Sequence, residues 1–181
     1  MSDCELPGVK LIAPIRHGDA RGWFSETFRD NWFRTHVADM ALVQDNHAAS
    51  PQVGTLRGLH LQLPPFAQAK LVRCVAGAIW DVAVDVRPGS PTLGRWTARE
   101  LSARDGRQLF VPEGFAHGYV TLEPDTQVIY RCNAYYAPAH DRGIAWDDSD
   151  LAIDWPLPPG GPVLSDKDRS QPSLATFLAS L

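Results

Sequence analysis

Short apolar and β-branched runs, separated by glycine and proline, fill the middle of the chain. In the run 78–86, valines occupy positions 82, 84 and 86, whereas Asp81 and Asp85 fall on the opposite face with Ala83. An alternation of period two is the pattern of a β-strand. Carboxylates opposite valines indicate one apolar and one wet face, as in the lining of a barrel. The pattern therefore predicts a mainly β protein of barrel or sandwich type.

The remaining elements follow from the same reasoning. Further strands are predicted over 9–14, 23–28, 70–75, 96–101, 108–111, 116–122 and 127–136. Helices are expected only near the ends: a short one over 30–37, with Asp30 as its N-cap, and a packed terminal one within 170–181. No repeat or linker divides the chain, so residues 1–181 are predicted to form a single domain.

Charge and cysteine content exclude several classes of function. The net charge is −4 and no lysine or arginine run occurs, so nucleic-acid and membrane-surface binding have no electrostatic support. No segment resembles a signal peptide or a membrane span, and we expect a cytoplasmic protein. Cys4, Cys74 and Cys132 lie far apart, which argues against zinc binding and structural disulfides; the last two are expected to be small core residues.

Three strand-like segments, 44–47, 56–62 and 110–118, are rich in polar residues. In the second, His60 alternates with two leucines, and strict alternation would place Arg57 on the face of the leucines unless a bulge intervenes. His60 and His117 each have two interpretations, a hydrogen-bonded core histidine or a functional group. The other four histidines, at positions 17, 36, 47 and 140, lie near turn or helix signals and are interpreted as solvated or local.

The third segment resembles half of a cupin signature. Gly106, Pro112, Gly114 and His117 have the spacing of that family's second motif, with Thr121 where asparagine is usual. The first motif is incomplete. Gly54 and His60 are correctly spaced, but Gln62 replaces a second histidine, no glutamate follows, and Lys70 occupies the region. Two histidines, an amide and an ammonium make a poor divalent-cation site, so the barrel is implied without a metal.

A more specific resemblance extends over nearly the whole chain. It rests on eight segments in order: 19–28 (DARGWFSETF), 44–47 (QDNH), 56–62 (LRGLHLQ), 70–73 (KLVR), 80–87 (WDVAVDVR), 111–118 (VPEGFAHG), 135–136 (YY) and 164–168 (LSDKD). Together they closely resemble the dTDP-4-dehydrorhamnose 3,5-epimerase family. The resemblance implies a cupin-type jelly-roll barrel, a homodimer, no cofactor, and a nucleotide-diphosphate sugar as substrate.

The resemblance also implies the chemistry. Hydrogens on C3 and C5 flank a C4 ketone, so each can be removed to give an enolate and returned from the opposite face. By resemblance, His60 is the base and Asp168 its carboxylate partner. Tyr130 matches the proton donor, and Lys70 is placed to stabilise the enolate oxygen.

Substrate contacts are implied in the same way for Arg21, Glu26, Gln44, Asn46, Arg57, His117, Tyr135 and Lys167. Arginine suits a diphosphate, and a tyrosine can stack on a base or sugar face. Asp81 and Asp85 either orient His117 or solvate the lumen. Arg73 is assigned to structural ion pairs, with a role near phosphate as the alternative. Asp141 stands where the family often has glutamate, and Trp23 where phenylalanine is commoner.

Other interpretations are compatible with the sequence. One is an epimerase that acts at C3 or C5 only, or on another nucleotide-sugar, using the same base. Another is a non-catalytic sugar-binding cupin, which the base-and-acid set argues against because a binder needs neither. A metal-dependent cupin oxygenase or isomerase is disfavoured by the incomplete ligand set.

Overall fold

The computed structural model describes residues 1–181 and is built mainly from antiparallel strands. The strands are β1 (Ser2–Asp3), β2 (Lys10–Ile12), β3 (His17–Asp19), β4 (Gly22–Phe24), β5 (Gln44–Ser50), β6 (Leu56–Gln62), β7 (Lys70–Ala76), β8 (Ala78–Asp85), β9 (Trp96–Ser102), β10 (Gln108–Val111), β11 (Phe115–Thr121), β12 (Thr126–Cys132) and β13 (Asp141–Gly143). The helices are α1 (Asp30–His36), α2 (Asp166–Arg169) and α3 (Leu174–Ala179), with one 3₁₀ turn at Pro138–His140.

Two antiparallel sheets form the barrel. The larger sheet has the strand order β1-β2-β10-β7-β12-β5, and the smaller has the order β13-β6-β11-β8-β9. β3 and β4 form a separate hairpin. Strands distant in sequence lie side by side, such as β10 beside β7 and β13 beside β6, which is the connectivity of a jelly roll rather than a simple meander. The mainly β, cupin-type prediction is confirmed.

Three apolar clusters hold the layers together. The central one fills the space between the sheets, with Val72 and Leu109 from the larger sheet facing Ala83 and Phe115 from the smaller. A second covers the outer face of the smaller sheet with residues of the C-terminal segment, and a third packs α1 on the outer face of the larger sheet. Both faces of the smaller sheet are therefore buried.

This burial corrects the expectation of a wet face on β8. The predicted alternation is present, and the valines at 82 and 84 pack under the C-terminal segment. The opposite face is not solvated, because Asp81 and Asp85 are both fully buried. Asp85 accepts hydrogen bonds from the Arg87 guanidinium and from the hydroxyls of Ser90 and Thr92. It anchors the loop after β8 and contacts neither His117 nor a solvated lumen.

Three predicted boundaries also change. The strand predicted over 23–28 ends at Phe24. Asp30 is the first helical residue of α1 and not its cap; the cap position is Arg29, which makes no side-chain capping bond. In the terminal segment the predicted helix is shorter, from Leu174 to Ala179, and its N-cap is Ser173, whose side chain accepts from the Thr176 N–H. Pro172 lies just before this cap. Proline lacks a backbone N–H and restricts the residue before it, so α3 does not extend further towards the N-terminus.

Two further expectations concern the cysteines and membrane-spanning helices. Cys74 and Cys132 are buried free thiols, as expected for small core residues. No helix in the structure is long and apolar enough to cross a bilayer.

Asp85 leads to a prediction about stability. Burial opposes its ionisation, but the Arg87, Ser90 and Thr92 donors outweigh burial and hold its pKa below the ordinary carboxyl range. Asp85→Asn should lower the free energy of unfolding at neutral pH by roughly 3 kcal/mol, because the donors lose their charged acceptor. The measurement is urea denaturation, with the exposed Asp39→Asn as control.

The lowered pKa of Asp85 also determines how its contribution to the free energy of unfolding depends on pH. The folded pKa of Asp85 is lowered, so its contribution to stability is present above the unfolded pKa and is lost as pH falls towards the folded pKa. The gap between wild type and Asp85→Asn should therefore narrow in acid. A gap that stays constant down to low pH would contradict this account.

Candidate active site

A cavity of about 310 Å³ opens between the two sheets at the end covered by α2. Its walls come from three sources: the smaller sheet, the larger sheet, and the segment at α2. The lining residues are Ala48, Arg57, His60, Lys70, His117, Tyr119, Tyr130, Ser165, Lys167 and Asp168. All four predicted catalytic residues and three of the predicted substrate contacts therefore meet in one cavity. Its volume suits the sugar end of a ligand rather than a whole nucleotide-sugar.

A bulge in β6 settles the orientation of Arg57. Where β6 pairs with β11, His117 is opposite His60 and Tyr119 is opposite Arg57, so β6 carries one extra residue between the two pairs. Gly58 in the bulge has φ +130°, and a Cβ there would lie 2.5 Å from the Gly118 Cα. Only glycine fits this close approach. The extra residue brings Arg57 to the cavity side with His60.

His60 is held by Asp168. Nε2 of the imidazole lies 2.6 Å from Asp168 Oδ1, and Nδ1 makes no hydrogen bond within the protein. Burial opposes ionisation of Asp168, but hydrogen bonds from His60 and Ser165 outweigh it, so the pKa of Asp168 lies below its ordinary value. An ionised carboxylate at Nε2 favours the tautomer with hydrogen on Nε2 and a lone pair on Nδ1. This arrangement is that of a histidine base.

His117 belongs to a second histidine–carboxylate pair deeper in the barrel. Its Nε2 lies 2.8 Å from Asp81 Oδ1, and both side chains are almost completely buried. Of the two interpretations of Asp81, the one in which it orients His117 is therefore correct. Burial lowers the pKa of His117 more than Asp81 raises it, so the ring is neutral at neutral pH.

Lys70 and Tyr130 project from the larger sheet, opposite His60. The Lys70 Nζ donates to the His60 carbonyl oxygen at 3.2 Å and has no carboxylate partner. Burial lowers the pKa of this ammonium. Burial also raises the pKa of the Tyr130 phenol, which keeps it protonated at neutral pH. The site thus offers a base on one sheet and a cation and an acid on the other.

Three predicted contacts lie outside the cavity but near its rim. Gln44 and Asn46 share the inward face of β5, and Asn46 is the register partner of Tyr130. Tyr135 is 69% exposed beyond the end of β12. Its backbone oxygen is fixed by the Gln62 amide, which also binds the Phe66 oxygen and the Ala137 N–H. Gln62, at the position where the cupin motif has a second histidine, therefore holds together the backbone at the rim of the cavity.

Arg21 and Glu26 do not reach this cavity within one chain. Arg21 is exposed on the β3–β4 hairpin and pairs with Asp19. Glu26 pairs with Arg29 and lines a separate apolar cavity of about 470 Å³ beside α1. Neither residue is among those that line the cavity at His60 of the same chain, so these two contacts stay predictions.

Two other expectations about charged residues are resolved. Asp141, at the position where the family often has glutamate, binds the Lys167 ammonium and the Tyr136 hydroxyl, so the shorter carboxylate still ties β13 to α2. Arg73 forms no ion pair, which contradicts its assignment to structural pairs; its pKa is lowered by burial and by nearby Arg131. It lies on the outer side of the larger sheet, away from the cavity.

Two polar lining residues, Ser165 and Tyr119, are not among the site residues predicted from the sequence. Ser165 contacts Asp168, and its spacing to that residue is that of an N-terminal helix cap, a signal present in the sequence. Tyr119 contributes a buried hydroxyl that has no hydrogen-bond partner within the protein. Nothing in the local pattern distinguishes Tyr119 from an ordinary core aromatic residue.

Comparisons with known proteins identify the family of the chain. A family model described as dTDP-4-dehydrorhamnose 3,5-epimerase matches residues 3–176. The chain belongs to this family. The dTDP-4-dehydrorhamnose 3,5-epimerase of Sinorhizobium fredii is 60% identical over 172 residues, which are 95% of this chain and 88% of that protein.

Solved structures of family members have the same fold. One is a dTDP-6-deoxy-D-glucose-3,5-epimerase from Legionella pneumophila in complex with dTDP-4-keto-L-rhamnose. It has a TM-score of 0.94 at 40% identity, over 98% of this chain and 94% of that one. Another is a 3'-monoepimerase from Streptomyces bikiniensis in complex with dTDP-quinovose, with a TM-score of 0.90 at 36% identity, over 99% and 90% of the two chains. The epimerase fold therefore serves both single and double epimerases.

The Tyr119 hydroxyl gives a testable prediction about the stability of this epimerase. Because a buried unpaired hydroxyl costs free energy, Tyr119→Phe should leave the free energy of unfolding unchanged or raise it by about 1 kcal/mol. Tyr136→Phe is the matched control, since it removes a hydroxyl that donates to Asp141 and should not stabilise. Thermal and urea unfolding of both variants would decide the matter. A clear loss of stability in Tyr119→Phe would mean that its hydroxyl has a partner.

Proposed function

We propose that this protein epimerises a dTDP-linked 4-keto-6-deoxyhexose at C3 and C5, the reaction for which its family is named. One observation supports the proposal above the others. A carboxylate-backed histidine on the smaller sheet faces a protonated tyrosine and an unpaired lysine on the larger sheet, across a cavity of sugar size. A base and an acid on opposite walls can act on opposite faces of one sugar ring.

The steps follow from this arrangement. His60 Nδ1 removes the proton from a carbon next to the C4 ketone, and the electrons move to the ketone oxygen as an enolate. Tyr130 returns a proton to the same carbon from the other face, which inverts it. His60 then releases its proton to solvent and Tyr130 regains one from solvent, and the same sequence at the second carbon completes the double epimerisation. General acid–base catalysis by a positioned side chain raises the rate by about 10²–10⁴-fold, for the base and for the acid.

Lys70 stabilises the intermediate. Its ammonium is buried and has no carboxylate partner, so its charge is available to the developing enolate oxygen. In a cavity that excludes most water, such a charge acts more strongly than it would in solution. The neutral His117 provides a further polar group at the inner wall, which suits a contact to a sugar oxygen.

The nucleotide end would lie towards the rim. Arg57 and Lys167 offer cationic groups at the cavity mouth for a diphosphate. The exposed ring of Tyr135 is available to stack on the base, with Gln44 and Asn46 on the neighbouring strand. These roles rest on the family resemblance together with the positions of the residues.

A homodimer is part of the proposal. Ile15, Trp23 and Phe24 on and beside the β3–β4 hairpin are 72, 59 and 71% exposed, a large apolar patch for a monomer surface. Docking this hairpin onto a second copy would bury the patch. It would also carry Arg21 and Glu26 to the cavity of that copy, which accounts for two predicted contacts that do not line the His60 cavity of their own chain. A cytoplasmic location fits the three free cysteines, since reducing compartments preserve thiols.

The base assignment is tested by deuterium exchange. Proton NMR with dTDP-4-keto-6-deoxyglucose in D2O should show uptake at C3 and C5 with the wild-type protein, in the presence of a chelator as in its absence. His60→Ala should lower both exchange rates by about 10²–10⁴-fold, because it removes the base, while nucleotide-sugar affinity is largely kept.

His47→Ala is the matched control, because His47 is exposed on β5 and binds only Gln127. Full exchange in His60→Ala would remove His60 from its role. Wild-type uptake at one carbon alone would identify a mono-epimerase, and no uptake would favour another nucleotide-sugar or a binding protein. Loss of activity with chelator would point to a metal-dependent cupin.

The shared-site dimer is tested by mixing variants. His60→Ala and Arg21→Ala should each be impaired alone. After the two are unfolded and refolded together, about a quarter of wild-type activity should return, since half of the dimers are mixed and each mixed dimer has one intact site. Light scattering of the wild type should give a dimer mass. Absence of recovery in the mixture would mean that Arg21 does not act across the interface.

A further inference from the structure

Ser165 makes two hydrogen bonds to one residue at the start of α2. Its Oγ accepts the Asp168 N–H at 3.1 Å, which caps the helix, and its hydroxyl donates to Asp168 Oδ2 at 2.7 Å. Asp168 Oδ1 is the oxygen that holds His60 Nε2. A continuous chain of contacts therefore runs from Ser165 through Asp168 to His60.

The Asp168 carboxylate has no freedom to rotate while these contacts last. Its side chain is 5% exposed, so water does not offer replacement donors. Beyond His60 and Ser165, the backbone N–H of Gly58 also stabilises its charge. The Ser165 hydroxyl is the only side-chain donor on Oδ2, so its removal would loosen the orientation of the carboxylate relative to the imidazole.

We propose that Ser165 is a positioning residue for the epimerase reaction, a role that rests on the proposed function of His60 as base. Its hydroxyl fixes the plane of the Asp168 carboxylate, and the carboxylate fixes the imidazole with Nδ1 as the basic nitrogen. Ser165 touches neither the base nor the reacting carbons in this scheme. It acts through Asp168 alone.

The competing explanation is that Ser165 only caps α2. The chain provides a control for that explanation, because Ser173 caps α3 through the same Oγ-to-N–H contact with Thr176 and has no link to the cavity. A glycine substitution separates the two roles further. Glycine at an N-cap costs far less than alanine, yet it removes the hydroxyl as completely.

The split between kcat and KM provides an independent readout. His60 is the only titratable side chain bonded to Asp168. The neighbouring cations and the second histidine have other partners: Lys167 binds Asp141, Lys70 binds the His60 carbonyl, and His117 binds Asp81. Loss of the Ser165 donor therefore reaches the base through Asp168. It should lower kcat while KM for the nucleotide-sugar stays nearly unchanged.

The experiment measures deuterium exchange at C3 and C5, kcat and KM, and Tm for Ser165→Ala, Ser165→Gly, Ser165→Thr and Ser173→Ala. Ser165→Ala and Ser165→Gly should both lose roughly 10–100-fold in kcat with KM little changed. Ser165→Thr keeps the hydroxyl and should restore most of the rate. Ser173→Ala should lower Tm by a few degrees with kcat and KM unchanged.

Wild-type kinetics in Ser165→Gly, with a change only in the Tm of Ser165→Ala, would overturn the proposal and leave a cap. A loss in both variants that appears in KM and not in kcat would overturn it as well. Failure of the proposed function is recognised separately, because the wild-type protein would then show no exchange at either carbon before any variant is compared.

Discussion

The hydrogen bond between His60 and Asp168 joins residues 108 positions apart, and the active site depends on it. His60 belongs to an interior strand of the smaller sheet, whereas Asp168 belongs to a four-residue helix that could not be stable alone. The helix is held in place because the C-terminal segment covers the outer face of that sheet, with Ile144, Trp155 and Phe177 in one apolar cluster. Packing on one side of the sheet thus completes the site on the other, and folding of the C-terminal segment is a condition for catalysis.

Much of this arrangement could be predicted from the sequence, and the parts that could not share a physical cause. Alternation along β8 predicts the strand and which residues share a face. It cannot show whether a second layer covers that face, so it predicts a wet face or a contact to His117 for Asp81 and Asp85, and both are buried. Periodicity also leaves Arg57 unresolved, because a bulge depends on the partner strand and on the close approach of Gly58 to Gly118. Local patterns report on local backbone, whereas burial and register depend on pairing at a distance.

The family resemblance implies the four catalytic residues, and the structure adds the contacts and the burial that surround them. Neither the lowered pKa of Lys70 nor the orientation of His117 can be seen in the chain before strands from both sheets surround them. Ser165 is the opposite case, because its capping pattern is visible in the sequence yet is easily taken as a feature of a helix start alone. A resemblance assigns roles to residues that contact substrate. It gives no reason to look at the residues that hold those in place.

The two histidine–carboxylate pairs show how environment divides one motif into two roles. Both histidines offer Nε2 to an aspartate, and they are register partners on adjacent strands. The His60 side chain is 28% exposed and that of His117 is 6% exposed. Only the His60 imidazole is therefore accessible both to a ligand and to solvent when it takes up a proton. Both oxygens of Asp168 make hydrogen bonds, whereas Asp81 Oδ2 has no partner. The carboxylate beside His60 is therefore held in a more defined orientation than the one beside His117. An accessible imidazole backed by a fully bound carboxylate suits a base; a buried neutral one suits a hydrogen bond to a substrate oxygen.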